Sequence, residues 1–500
     1  MFEYTTPEKA GISSENVLRF IKTLDSHNLS THSFIMARGN KVFAEGYYAP
    51  FNKDFRHRMY SVSKSFIAIA IGFLIQDGLV SLDDKLVDYF PEYTEGNPAI
   101  NDNMRNTTLR HMITMHTCHY YTPPWICGGE SDRASLYFRN PADRVPGTVF
   151  RYDSHGSSML STIVERITGK PFLEYLKEKV LLDLGFSSDA VCVQAPGGHS
   201  FADSGILCTS MDLLRFARFV MDKGEFNGKQ YLNKEFIEEA TKKQVATSLS
   251  GIPTYGSYGY GYLIWKAPDD GFAFVGMGDQ FAICDTKHDF IFIINSDNQG
   301  FGDFSRTIIY ESLYDIIVHN LGEPLPENKE AEGELENYIK NLKLFALNEN
   351  TGDTELKDRI NGRRYVLEPN KMGIEYVKFD FEGNKGILSY KNEQGEKEIP
   401  FGIGYNEFSM FPQEDYPDMT AAVPEKGNMY KCAASSDFPD SQKIRVKVQI
   451  IDKYFGNLNM NFGFSEDKVG IFMTKTAEAF LDEYEGYANG SLCVIKNSEL

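Results

Sequence analysis

The apolar run Ile67-Ala68-Ile69-Ala70-Ile71-Gly72-Phe73-Leu74-Ile75, entered through Tyr60-Ser61-Val62-Ser63-Lys64-Ser65-Phe66, limits the folds open to this chain more than any other stretch. It is too short to span a bilayer, stops at Gln76-Asp77-Gly78, and reads as a helix that the rest of the chain is built around. At its mouth a lysine follows a serine by three residues, which places both side chains on one helical face within mutual reach. A serine hydroxyl is a weak nucleophile at neutral pH and needs a neighbour to take its proton. Lysine does this as the free amine, a form that apolar surroundings favour. The unpaired N–H groups of a helix start also favour negative charge developing near Ser61. Ser61 and Lys64 are therefore the candidate nucleophile and its proton acceptor. Ser465-Glu466-Asp467-Lys468 repeats the spacing, but it follows Gly463-Phe464 with no apolar helix behind it and reads as a solvated turn.

Five hundred residues exceed one ordinary core and predict two or three domains. The net charge of −19 argues against nucleic acid or an anionic membrane as partner. The opening Met1-Phe2-Glu3-Tyr4-Thr5-Thr6-Pro7 has neither the basic patch nor the apolar segment of a signal peptide. Seven scattered cysteines, an odd number, fit reduced thiols. These features predict a cytoplasmic protein.

Along the chain, residues 11–28 read as a helix capped by Ser13 or Ser14, and residues 33–37 and 41–44 as a hairpin turning at Gly39-Asn40. A short helix over 107–114 runs into His116, Cys118 and His119. Their spacing matches no common zinc pattern and no fourth ligand is near, so no metal is expected. Tyr120 to Trp125 form an aromatic loop that could line a pocket. Tyr152-Asp153-Ser154 is a polar knot ahead of a helix over 157–168. Gly198-His199-Ser200-Phe201-Ala202 falls short of a Gly-x-Ser-x-Gly elbow, since the last glycine is absent and Pro196-Gly197 breaks any strand leading in. From Tyr258 the period changes to strands, 258–265, 271–275, 281–284 and 290–295, expected to pair antiparallel, with a helix over 305–320 closing the unit. Pro324 and Pro326, set among charges, mark a boundary. The expected division is residues 1–325 as the first domain, 326–350 as linker and acidic helix, and 351–500 as an all-β domain. Its evenly spaced strands suggest a small barrel or sandwich without a catalytic grouping.

These pieces, in this order, resemble the β-lactamase-related serine hydrolases: class C β-lactamases, penicillin-binding peptidases, and the esterases and amidases similar to them. The resemblance covers roughly residues 7–321. Ser61-Val62-Ser63-Lys64 is similar to the first motif of the family and Tyr152-Asp153-Ser154 to the second, which implies an acylated Ser61 with Lys64 and Tyr152 sharing the proton work. Supporting matches are Leu82-Asp83-Asp84-Lys85, Thr108-Leu109-Arg110-His111-Met112, Pro146-Gly147-Thr148 and the stretch from Gly205 to Asp212. The third motif, Phe274-Val275-Gly276-Met277-Gly278-Asp279-Gln280, lacks the cation of the lactamase form and is similar to the Gly-x-Gly-Gly-Gln version of esterase-like and oligomer-amidase relatives. Aligned so, the resemblance implies that the backbone N–H groups of Met277 and Ser61 form the oxyanion hole. Without a cation here, a usual partner for the carboxylate of a β-lactam or a peptide terminus is missing. Cys118-His119 stands where relatives carry Ser-Gly.

The implied fold is α/β, an antiparallel β-lactamase/transpeptidase-like sheet flanked by helices plus a helical lobe, with a lipocalin-like barrel or sandwich after it. The implied activity is cleavage of a small ester or amide, including short or D-amino-acid peptides, through an acyl-enzyme on Ser61 and without a cofactor. Ser154, Trp125 and Trp265 join Gly276 and Met277 as expected substrate-binding residues. Two alternatives stay open: an acyltransferase that passes the acyl group to an alcohol or amine, and a non-catalytic relative that binds a ligand in the aromatic cleft.

Overall fold

Strand-forming runs from both ends of the first three hundred residues meet in one sheet. The computed structural model describes residues 2–120, 132–247, 256–352, 354–478 and 480–493. They fall into two units, Met1–Lys343 with the short piece Met419–Ala422, and Leu344–Asp418 with Val423–Leu500.

In the first unit the strands are Glu3–Tyr4 (β1), Thr31–Arg38 (β2), Lys41–Tyr47 (β3), Trp265–Lys266 (β4), Phe272–Gly276 (β5), Gln280–Asp285 (β6) and Phe290–Ser296 (β7), arranged β1-β3-β2-β7-β6-β5-β4. Every pairing is antiparallel except β1 with β3. The β2–β3 hairpin turns through Gly39, whose φ of 58° suits a residue without a side chain. The helices used below are Ser14–Ser26 (α1), Ser63–Gln76 (α2), Arg133–Arg139 (α3), Ser154–Thr168 (α4), Ser210–Met221 (α5) and Asp303–Ser312 (α6). Ser13 caps α1 by accepting from the Asn16 N–H at 3.2 Å, and Val17, Phe20, Ile21 and Leu24 form its buried face.

Register fixes which helices cover which face of the sheet. Phe274 pairs with Ala282 and Ala282 with Ile293, whereas Ala273 pairs with Ile283 and Ile283 with Phe292, so Phe274 and Phe292 point to opposite faces. Phe292 meets Phe20 of α1 edge-on at 5.3 Å, and Phe281, on the same face, meets Tyr310 of α6 at 5.6 Å. Phe274 meets Phe216 of α5 at 5.3 Å, and Phe216 lies flat on Phe66 of α2 with ring centroids 3.6 Å apart. Helix α2 is thus wrapped on all sides, and every residue from Ser63 to Leu74 is buried. Among the described residues, no helix is long and apolar enough to cross a membrane.

The expected strand over 258–265 shrinks to β4, with Tyr260 making only an isolated bridge. Gly259 at φ 124° and Leu263 at φ 51° interrupt the extended backbone that the aromatic alternation suggested.

The second unit is a closed barrel. Its strands are Arg364–Leu367 (β8), Tyr376–Glu382 (β9), Lys385–Asn392 (β10), Gly395–Ile403 (β11), Glu407–Met410 (β12), Lys431–Asp440 (β13), Lys443–Ile451 (β14), Phe455–Ser465 (β15), Lys468–Ala477 (β16) and Gly486–Leu492 (β17). Nine run in the order β11-β10-β9-β8-β17-β16-β15-β14-β13, and parallel pairing of Gly402 and Ile403 in β11 with Ser435 and Ser436 in β13 shuts the ring, so of the two expected forms it is the barrel. Inward residues such as Val377, Phe379, Phe462 and Ile471 fill its interior. Ser465 pairs directly with Lys468 across a tight turn with Glu466 at φ 53°, so the second Ser-x-x-Lys is a hairpin end.

Three buried histidines of the first unit give it a pH signature. His32 Nδ1 lies 2.7 Å from His57 Nε2, and His155 Nε2 donates to the Arg133 carbonyl at 2.6 Å. Burial lowers His57 to about 3 and, with the neighbouring His57, holds His32 well below its ordinary range. Burial and then the Arg133 charge lower His155 to about 4. The unfolded chain takes up these protons near pH 6.5 and the folded chain only at much lower pH, so stability is complete above that value and is lost as pH falls below it, by up to about 1.4 kcal/mol per pH unit for each histidine. Both tryptophans, Trp125 and Trp265, belong to the first unit, so their fluorescence during urea unfolding reports that unit. Its midpoint should fall clearly between about pH 7 and about pH 5, above most carboxylate titration; an unchanged midpoint would contradict the assignment.

Candidate active site

The segment that carries Ser61 is held by a short antiparallel pairing of His57–Arg58 with Ile206–Cys208, and the Met59 N–H donates to the Ile206 carbonyl at 2.8 Å. Arg58 is fully buried, donates through Nε to the Ser204 carbonyl at 3.0 Å, and lies over the Tyr60 ring at 4.6 Å. Tyr60 takes a φ of 47°, a left-handed conformation costly for a bulky side chain, which this packing holds in place. Residues Tyr60–Val62 then form a 3-10 turn and the α-helix proper begins at Ser63, so Ser61 lies one turn before α2 rather than within it. No side chain caps either helical start.

Ser61 and Lys64 face each other. Lys64 Nζ lies 2.8 Å from Ser61 Oγ and donates to the Asp203 carbonyl, also at 2.8 Å. Lys64 is 1% exposed and Ser61 half-buried. Among the described residues, no carboxylate pairs with the lysine. Nζ also lies 5.1 Å from the centre of the Tyr152 ring, which brings the third expected residue to the same place from a loop some ninety positions away.

Tyr152 is positioned by the helix start directly after it. Asp153 caps α4 by accepting from the Gly156 N–H at 2.8 Å and is itself tied by the Thr117 hydroxyl at 2.7 Å. This cap starts the helix at Ser154, three residues earlier than its apolar pattern suggested, and Ser154 sits half-buried at its first position. The Tyr152 ring stacks on Trp265 at 5.7 Å and 18°, with Tyr260 edge-on to Trp265 at 4.7 Å. Trp265 thus lies beside Tyr152. Trp125 lies outside the described residues.

The end of β5 closes the other side. A Cβ on Gly276 would fall 2.5 Å from the Met59 carbonyl oxygen, so only glycine lets the strand approach the Ser61 segment this closely. Met277 follows, half-buried. Its carbonyl accepts from Gln280 Nε2 at 3.0 Å, and the fully buried Gln280 also donates to the Ser296 carbonyl at 2.6 Å, which fixes the turn.

One group near the site carries no sequence signal. Arg133, at the start of α3, forms an ion pair with Asp203 at 2.6 Å, with side chains 7% and 1% exposed. Burial would raise the Asp203 carboxyl, but the Arg133 and Lys64 charges outweigh it and hold it below the usual range. The pair anchors the loop whose backbone oxygen receives Lys64. Other sequence candidates have local partners. His116 Nδ1 lies 3.1 Å from the Thr114 hydroxyl, His119 Nδ1 donates to the Pro141 carbonyl at 3.0 Å, and Cys118 Sγ points to Met104 Sδ at 3.9 Å. The Gly198-His199-Ser200 stretch binds Glu165 of α4, with His199 Nδ1 at 3.0 Å and the Ser200 N–H at 3.3 Å.

Comparison with known proteins agrees with this architecture. The sequence matches the family described as Beta-lactamase over residues 19–312, more than half of the chain. The chain belongs to the beta-lactamase family. The 6-aminohexanoate-dimer hydrolase of Paenarthrobacter ureafaciens is 29% identical over 225 residues, 42% of this chain and 56% of that protein. The lovastatin esterase of Penicillium rubens is 25% identical over 173 residues, 30% and 43% of the two chains. The chain thus spans about half the length of these two curated relatives. A solved Bacillus anthracis structure, provisionally named 6-aminohexanoate-dimer hydrolase, shares the fold with a TM-score of 0.52 at 22% identity, covering 65% of this chain and 89% of that one. Homologues in the family are serine hydrolases, amidases and esterases among them.

Within this beta-lactamase-family site, Arg133→Leu would leave the Asp203 carboxylate buried without a counter-ion and should cost about 3–5 kcal/mol in urea titrations followed by tryptophan fluorescence. Replacing both residues by leucine should cost clearly less. Equal losses would show that the pairing does not govern this loop.

Proposed function

We propose that the protein is a serine hydrolase of small amides and esters that works through an acyl-enzyme on Ser61. The observation carrying this reading is the 2.8 Å approach of Lys64 Nζ to Ser61 Oγ by a lysine whose other partner is a neutral carbonyl. Ser61 Oγ attacks the substrate carbonyl while its proton passes to Lys64, directly or through the Tyr152 hydroxyl. The tetrahedral oxyanion lies between the N–H groups of Ser61 and Met277, at the junction that Gly276 keeps narrow. Collapse returns the proton to the leaving amine or alkoxide, and the acyl group stays on Ser61. A water molecule, deprotonated by the same pair, then attacks the ester carbon and releases the acid.

The substrate class favoured is a short linear amide. Support comes from the amide-cleaving curated relative and from the third motif, Phe274 to Gln280, which lacks the cation that would bind the carboxylate of a β-lactam or a peptide terminus. Trp265, stacked on Tyr152, offers an apolar wall to an extended chain. A cytoplasmic location belongs to the same proposal: the six cysteines among the described residues are free thiols, and four of them are buried.

A panel of linear ω-amino-acid amides, dipeptides of both configurations, aryl esters and β-lactams should show turnover of linear amides or esters well above β-lactams. Ser61→Ala and Lys64→Met should each lower kcat/KM by about a thousandfold or more, with Tyr152→Phe also strongly impaired. Turnover that survives Ser61→Ala would overturn the proposal. Product found mainly on an added alcohol or amine would move the reading to acyl transfer.

A further inference from the structure

Gly276 of β5 pairs with Gln280 of β6, so Met277, Gly278 and Asp279 alone make the turn between these strands. Gly278 and Asp279 take φ angles of 73° and 69°, both left-handed. Glycine adopts that conformation freely, and the Gly-x-Gly-Gly-Gln form of the motif would place one at each position. Here the second is an aspartate, which tolerates the left-handed region better than most residues but still at a cost.

Burial raises that cost. Asp279 is 1% exposed, and burial holds its carboxyl above the ordinary range although the Arg306 charge opposes this. Arg306, on α6, donates through Nε to Asp279 Oδ1 at 3.0 Å from a side chain that is 22% exposed. Its guanidinium also lies 3.9 Å from Asp303 on the same helix. The other two residues of the turn are tied from the sheet and the segment after it: Gln280 donates to the Met277 carbonyl at 3.0 Å, and the Gly278 carbonyl accepts from the Asn298 N–H at 3.2 Å. Asp279 is thus the point at which α6 takes hold of the turn. A strained residue persists where its surroundings over-determine it, and such residues gather at functional sites.

We propose that Arg306 is a positioning residue for the reaction at Ser61: its ion pair with Asp279 holds the turn that presents the Met277 N–H and neutralises a carboxylate that would oppose the oxyanion. This rests on the reading of Ser61 as nucleophile and Met277 as oxyanion donor. Two residues of chain span at most about 7 Å, so an unpaired charge on Asp279 would act on the oxyanion through a poorly screened interior. Loss of Arg306 therefore costs transition-state stabilisation and leaves ground-state binding nearly intact. With glycine in place of Asp279 the turn needs no partner, and the requirement for Arg306 disappears.

The test is the rate at which a fluorophosphonate labels Ser61 in the full chain, with kinact and KI obtained from its concentration dependence. Ser61 Oγ attacks phosphorus as fluoride departs, and negative charge builds on the phosphonyl oxygen as it would on a substrate carbonyl. Arg306→Met should lower kinact about tenfold or more with KI within about twofold of wild type. Arg306→Lys, which keeps the charge, should lose less. Asp279→Gly added to Arg306→Met should bring kinact back to within about threefold of wild type. Wild-type kinact in Arg306→Met, a change confined to KI, or a double variant as slow as the single would each overturn the proposal. The final labelled fraction reports how much of each variant is folded, which separates a slower reaction from misfolding. A wild-type chain that is not labelled at Ser61 would overturn the catalytic reading and this inference with it; labelling of Ser61 at equal rates in wild type and Arg306→Met would overturn the role of Arg306 alone.

Discussion

The architecture of the first unit turns on one amine held between two oxygens. Lys64 reaches Ser61 on one side and the Asp203 backbone on the other, with apolar helix α2 behind it. An amine buried without a carboxylate partner is unstable unless its donors are satisfied. Three otherwise unrelated segments meet that need. The pairing of residues 57–58 with 206–208 brings the Asp203 loop alongside, the Arg133–Asp203 ion pair secures it, and Gly276 lets β5 press against Met59. Tyr60 is forced into a left-handed conformation at the same junction. Strain and burial therefore gather around Ser61, a combination that clusters at functional sites.

Much of this was legible in the sequence because it is local. The apolar run specified α2, Ser13 capped α1, Gly39-Asn40 turned the first hairpin, and Thr108 rather than Thr107 proved to be the cap of its short helix. Gly276 could be singled out through the motif around it, and the structure supplies the reason for a glycine there: no side chain fits against Met59. The features that were not legible depend on distance or on backbone detail. Asp203 and Arg133 lie seventy positions apart, and nothing in either neighbourhood announces the other. The aromatic alternation from Tyr258 imitates a strand, but positive φ angles at Gly259 and Leu263 break it. The assignment of Met419–Ala422 to the first unit, where Gln194 exchanges hydrogen bonds with Met419 and Ala421, is equally invisible in composition.

The barrel unit obeys a simpler logic. Alternating inward residues fill its interior, and ring closure by β11 and β13 removes most free sheet edge, as a long run of paired strands requires. Buried polar groups inside it satisfy one another, for example Tyr390 with Tyr484 at 2.7 Å and Asn392 with Gln413 at 3.0 Å. Such a network favours one packing of the barrel over its alternatives.

The central claim is that Ser61, among all the serines of this chain, is the reactive one. Intact-mass and peptide-mapping spectrometry after treatment with a fluorophosphonate tests it most directly. The account predicts a single adduct on Ser61, lost in Ser61→Ala and formed far more slowly in Lys64→Met. An adduct on another serine, or equal labelling of the Lys64→Met protein, would contradict it.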